Sequence, residues 1–139
     1  MSLWILDPNH VIYLQNLHPN ILKHLATVKP TDIAITAITA EEQIRGWLKH
    51  MDVRSDRCIW AYQGFKDTLA KLKEVNILNF DANAYQVYLN LKKLLTNKVG
   101  TKDLQIAAIA LSLNGIVVTS NHKDFSKIPN LQIEDWTIS

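Results

Sequence analysis

The chain has 139 residues, 15 Lys and Arg against 13 Asp and Glu, a formal net charge of +2, one cysteine and 47% hydrophobic residues. That length and apolar share suit one domain over residues 1–139 and exclude a disordered chain; the lone Cys58 excludes an intrachain disulfide or a cysteine-rich zinc site, and a charge of +2 does not by itself announce a nucleic-acid binder. No apolar run nears the ~18–20 residues of a membrane span and no basic–apolar–small leader opens the chain, so a cytoplasmic location without a membrane partner is expected.

Leu3–Leu6 is a short apolar run ending in Asp7, and Pro8 behind it reads as the first residue of a helix capped by Asp7. Helical patterns over His10–Asn16 and Asn20–Thr27 are separated by His18-Pro19. Ile33-Ala34-Ile35 is a second apolar run. After it Ala40, Ile44, Trp47, Leu48 and Met51 share one helical face, and Thr39-Ala40-Glu41-Glu42 reads as a capping box with Glu42 reaching back. Ser55 reads as the cap of a helix striped with Cys58, Ala61, Tyr62, Phe65, Leu69 and Leu72. Ile77–Phe80 is a third run, followed by Asp81 capping a helix that buries Ala84, Tyr88, Leu91 and Leu95. Asp103, another good cap, opens Leu104–Leu111, which is apolar almost all round and therefore buried, and Asn114-Gly115 stops it. Ile116–Thr119 is a fourth run, and the alternation of Leu131-Gln132-Ile133 suits a fifth strand at an edge. Short runs apolar on both faces and spaced by helices predict parallel pairing. The expected fold is α/β: a three-layer α/β/α sandwich with a mostly parallel four- to five-stranded sheet.

In such a sheet, ligands bind beyond the carboxyl ends of the strands. Asp7 follows the first strand, Glu41 and Glu42 lie shortly after the second, Asp103 begins the helix before the fourth, and Asp124 lies just past the fourth. Each alone is explained as a cap or a loop acid. Gathered in one place, they would raise one another's pKa and require a countercharge. Oxygen donors without Cys or paired His select a hard divalent ion, Mg²⁺ with Mn²⁺ as substitute, of the kind that activates water for attack on a phosphoryl group. The five histidines form no zinc motif, and glycines only at 46, 64, 100 and 115 leave no phosphate loop or dinucleotide fingerprint. A phospho-receiver domain wants paired acids after the first strand and a haloacid-dehalogenase-type phosphatase wants Asp-x-Asp; Asp7-Pro8-Asn9 supplies neither.

Asp7-Pro8-Asn9 after an apolar strand resembles the opening Asp-Thr/Ser-Asn of PIN domains. Thr39–Gly46 resembles the family's second block, where a glutamate precedes a glycine by four, a spacing that selects Glu42 over Glu41. Asp103–Ala110 resembles the third block and Val117–Phe125, followed by Ile128–Leu131, the fourth; Ile133–Trp136 is similar to the tail of VapC-type toxins. The resemblance implies a Mg²⁺-dependent endoribonuclease toxin that cuts RNA, commonly tRNA or rRNA, as a homodimer neutralised by a VapB-like antitoxin. Asp7, Glu42, Asp103 and Asp124 carry over as catalytic metal-binding acids, with Asn9, Thr119 and Asn121 as polar helpers. Pro8 departs from the family's Thr or Ser and removes a hydroxyl and an N–H beside the first acid, so the alternative implied is a catalytically weak PIN-like module that binds RNA or antitoxin.

Residues 82–102 hold no acid but include Lys92, Lys93, Lys98 and Lys102, so Lys98 and Lys102 near Gly100-Thr101 are candidate RNA contacts, as is Arg45 near Glu42; a solvated helix face explains the lysines equally well. Trp47, Trp60, Tyr62, Tyr85 and Tyr88 lie on or near helical stripes and read as core or dimer-interface residues. With four of the 13 acids in one pocket, the rest of the chain sets 15 basic residues against nine acidic ones, a layout suited to a polyanion.

Overall fold

Alternation along Trp4–Leu6 (β1) sends Ile5 to one side of a sheet and its two neighbours to the other. The computed structural model, which describes residues 2–138, contains four further strands: Ile33–Thr36 (β2), Ile77–Leu78 (β3), Ile116–Val118 (β4) and Gln132–Glu134 (β5). All neighbours pair in parallel, in the order β3-β2-β1-β4-β5. The expected sheet is therefore present with five strands and no antiparallel member, and its fifth strand is an edge. Chain order reverses between β1 and β4, where an open parallel sheet leaves a crevice at its carboxyl end.

Helices cover both faces. Helices α1 (Pro8–Gln15) and α2 (Pro19–Leu25), with Trp136, enclose Leu6, Ile35 and Val118 on one side. On the other, α5 (Ala82–Leu94), α6 (Thr101–Ser112) and Phe125 of α7 (His122–Phe125) enclose Ile5 and Val117. Helices α3 (Ala37–Leu48) and α4 (Arg57–Leu72) pack on each other. Helix α6 buries Leu104 and Ile106–Ala110, as its composition demands, and ends in a Schellman turn: Asn114 takes φ 54° and the Gly115 N–H reaches the Ala110 carbonyl at 2.8 Å.

Several local expectations hold and several do not. Asp7 and Asp81 cap α1 and α5 as expected, accepting from the His10 and Ala84 N–H groups at 2.8 and 2.9 Å. Thr36, not Thr39, caps α3, because β2 runs directly into the helix and Thr36 is the last extended residue. Glu42 thus lies in the second turn with no capping task. Asp56 precedes α4 in place of Ser55, and of the predicted stripe only Ala61 is buried, with Tyr62 53% exposed. Trp60 and Tyr85 are also about half exposed, so they do not belong to the core, whereas Tyr88 does. No helix among the described residues is long and apolar enough to cross a membrane.

Trp47 locks the α3–α4 pair. Its indole N–H donates to Thr68 Oγ1 at 2.8 Å and its ring lies over Gly64, where an added Cβ would come within 2.3 Å of Cη2. Alanine in a helix ordinarily gains about 1 kcal/mol over glycine. Here overpacking outweighs that gain, so Gly64→Ala is expected to destabilise by about 1–3 kcal/mol in urea denaturation, the indole being forced off Thr68.

Candidate active site

The register that pairs Leu6 with Val118 brings the residues after them together at the sheet's carboxyl edge. Asp7 donates its N–H to the Val118 carbonyl at 3.0 Å, and Thr119 Oγ1 donates to Asp7 Oδ2 at 2.7 Å across 112 residues of sequence. Asp7 and Thr119 are buried. The Asn121 N–H donates to Thr119 Oγ1 at 2.9 Å. The Asn121 side-chain amide then donates to Asp103 Oδ2 at 3.3 Å and Asp124 Oδ2 at 3.1 Å. One hydrogen-bonded chain therefore links Asp7, Thr119 and Asn121 to Asp103 and Asp124.

Asp103 sits in the first turn of α6, whose cap position is occupied by Gly100. Its predicted capping role is therefore wrong, and its carboxylate serves the pocket instead. Burial, and then the charges of Asp124, Asp7 and Glu42 in falling order, push the Asp103 carboxyl up to about 6. Glu42 acts most weakly, consistent with its place beside a groove of about 290 Å³ lined by Ile12, Gln15, Trp47 and Thr68. The structure thus links Asp7, Asp103 and Asp124 through hydrogen bonds, and Glu42 takes no part in that chain.

Other candidates are placed differently. Asn9 is exposed on α1, outside the hydrogen-bonded chain. Arg45 pairs with Glu41, not Glu42, and Lys102 Nζ lies 3.1 Å from the other Glu41 oxygen, so a single exposed carboxylate is shared by two cations and one positive charge is left over. Lys98 lines a cleft of about 370 Å³ with Lys92, Thr96, Gly100, Thr101 and Asp124. A larger cleft of about 750 Å³, bounded by Trp47, Trp60 and Lys71, includes none of the four acids in its lining but shares Gln15, Trp47 and Thr68 with the groove beside Glu42. The sequence reading missed His10, which is fully buried with Nδ1 3.2 Å from Asp7 Oδ1. The usable signal was positional: the third residue of a helix capped by an acid lies over that acid.

Among the described residues, no group of three or more His, Cys, Asp or Glu is placed to hold a metal ion; the Asn121 amide bridges two of the acids. The donor chemistry nevertheless fits a divalent ion. The acids offer hard oxygens, their mutual repulsion already burdens Asp103, and the nearest Lys nitrogen to Asp124 is that of Lys127, at 3.9 Å.

The PIN domain family model matches residues 4–131. The chain belongs to the PIN domain family. Within it the chain is of the VapC type. It is 33% identical to Ribonuclease VapC2 of Rickettsia felis, covering 96% of this chain and 98% of that protein. It is 28% identical to the tRNA(fMet)-specific endonuclease VapC of Salmonella typhimurium, covering 98% and 99%. The toxin–antitoxin structure VapBC-1 from nontypeable Haemophilus influenzae superposes with a TM-score of 0.81 at 30% identity, over 98% of this chain and 99% of that one. In this VapC-type PIN domain, the four blocks read from the sequence are the segments that reach the carboxyl edge of the sheet.

Proposed function

We propose that the protein is an endoribonuclease toxin that cleaves tRNA or rRNA phosphodiester bonds with Mg²⁺ and is neutralised by a VapB-like antitoxin. The observation that carries this reading is the chain of hydrogen bonds from Asp7 through Thr119 and Asn121 to Asp103 and Asp124, with the Asp103 carboxyl raised by burial and then by three like charges. Asp7, Glu42, Asp103 and Asp124 would hold the ion. Bound there, Mg²⁺ or Mn²⁺ supplies Lewis acidity and lowers the pKa of water for attack at phosphorus. The protein's own part is orientation. Thr119 fixes Asp7, and Asn121 fixes Asp103 and Asp124 relative to each other. Lys98 and Lys92 line a cleft that Asp124 also lines and suit the backbone of a bound RNA, whereas Arg45 and Lys102 share Glu41.

The name of the Salmonella relative makes initiator tRNA the first substrate to try. Apolar side chains exposed on the α3–α4 arm, among them Val53, Ile59 and Trp60, support a protein partner, either an antitoxin or a second copy in a homodimer. The deciding experiment incubates purified protein with tRNA and rRNA in Mg²⁺, Mn²⁺ or chelator. Cleavage in the metals alone is expected; equal cleavage in chelator overturns the metal reading. RNA binding without cleavage that Pro8→Thr converts to cleavage establishes the weak-module alternative. Pro8 takes the first helical position of α1, where its missing N–H breaks no helical bond, so that substitution leaves the fold intact.

A further inference from the structure

Histidine at position 10 is buried without any exposed surface and touches the first acid twice through one oxygen: its N–H lies 2.8 Å and its ring Nδ1 3.2 Å from Asp7 Oδ1. The far side of the ring meets the C-terminal segment, where the Trp136 N–H points at Nε2 from 3.3 Å. A backbone N–H requires a lone pair on the nitrogen it faces, so Nε2 is bare and the ring proton is on Nδ1, directed at Asp7. Asp135 is the competing group, with Oδ1 3.7 Å from Nε2. That oxygen already accepts from the Thr137 N–H at 2.8 Å and from its hydroxyl, and Oδ2 faces His122 Nε2 at 2.9 Å, so Trp136 is the nearer partner of the ring.

The tail that presents this N–H is itself anchored. Trp136 is buried and its ring stacks on His24 with centroids 5.4 Å apart, while Asn20 Nδ2 donates to the Thr137 carbonyl at 2.7 Å. The ring position of His10 is therefore set by residues 136–137 and by α2, and in turn it sets Asp7.

We infer that His10 is a positioning residue: held by the Trp136 N–H as the Nδ1-protonated tautomer, it fixes the Asp7 carboxylate from behind and makes the C-terminal segment part of the active-site framework. The inference rests on the nuclease reading for its consequence but not for its geometry. A ligand carboxylate so buttressed loses about 10–100-fold in metal affinity or activity when its partner is removed.

Two measurements on the full chain test it. In the first, long-range ¹H–¹⁵N spectra report the tautomer of the wild-type protein; a proton on Nδ1 with Nε2 bare is expected, and an Nε2–H ring overturns the inference. The second compares His10→Asn, whose amide keeps a donor near the Nδ1 position, with His10→Gln, which reaches only toward Trp136. Binding of Mn²⁺ alone, followed by water-proton relaxation, is expected to weaken about 10–100-fold in the Gln variant and to recover to within about fivefold of wild type in the Asn variant. Turnover follows the same order, with kcat reduced and the KM for RNA changed by less than about twofold. If Asn and Gln weaken Mn²⁺ binding equally, or neither does, the ring is filling space and the inference fails. A wild-type protein that cuts no RNA counts against the nuclease reading alone, since the tautomer and Mn²⁺ measurements still decide His10.

Discussion

Asp103→Asn is expected to give a protein that is more heat-stable than its parent at neutral pH and unable to cleave RNA. The stability gain follows from linkage. The fold pushes this carboxyl up to about 6, from an ordinary value of 3.8 for the free group. Below about pH 4 the group is protonated in both folded and unfolded chains and contributes nothing. Between about 4 and 6 the unfolded chain ionises first, so wild-type stability falls as pH rises through that window and stays low above it. The loss is about 1–2 kcal/mol after discounting for the solvent that screens a partly exposed carboxyl.

Asparagine carries no charge to repel Asp124 and Asp7, and its carbonyl still accepts from the Asn121 amide. Thermal melts from pH 4 to 8 without metal should show the step in the wild type and a flat profile for the variant, whose Tm at pH 7.5 rises by roughly 3–6 °C. Added Mg²⁺ should stabilise the wild type and leave the variant nearly unmoved, with cleavage at least about 100-fold slower. A variant less stable than wild type at pH 7.5 would show that the four acids do not burden one another. Such a gain in stability with loss of function is the usual mark of a site built from like charges.

Asp7 has two tasks, and two substitutions separate them. As the cap of α1 it accepts from the His10 N–H, and as a buried acid it accepts from Thr119 and from the His10 ring. Asparagine caps a helix about as well as aspartate, and the Thr119 hydroxyl can turn to accept from its amide. Asp7→Asn is therefore expected to stay within about 1 kcal/mol of wild type. It loses the charge, and RNA cleavage is expected to fall at least about 100-fold. Asp7→Ala removes the cap and strands two buried donors, so it should cost about 2–4 kcal/mol as well as activity. Urea denaturation beside a tRNA cleavage assay makes the distinction. Normal cleavage by Asp7→Asn would remove the acid from the mechanism.

The apolar runs, the proline positions and the Asn114-Gly115 stop were enough to predict a mostly parallel sheet of four to five strands with helices between them, because these depend on local periodicity and capping. The acids were legible as a set for the same reason: Asp7 and Asp124 lie just past apolar runs, and Glu42 keeps its spacing to Gly46. Capping was also where the reading went astray. Thr39 and Asp103 carry good cap residue types, yet Thr36 and Gly100 hold those positions, since the tertiary fold decides where β2 and the loop before α6 turn into helix. That Arg45 and Lys102 share a partner was equally hidden, because Glu41, passed over as a metal ligand, meets both.

What the sequence by itself determined is the inventory: a parallel sheet, and four acids close to strand ends and helix starts. What only the tertiary structure decided is which of them meet and what holds them. Strands of two to four apolar residues carry no label for their neighbours, so the placement of β4 against β1, and with it the Thr119–Asp7 contact across 112 residues, is set by packing of the whole sheet. The contact of the His10 ring with Asp7 follows from its place in the first turn of α1, but its contact with a backbone N–H 126 residues away is a further product of that packing.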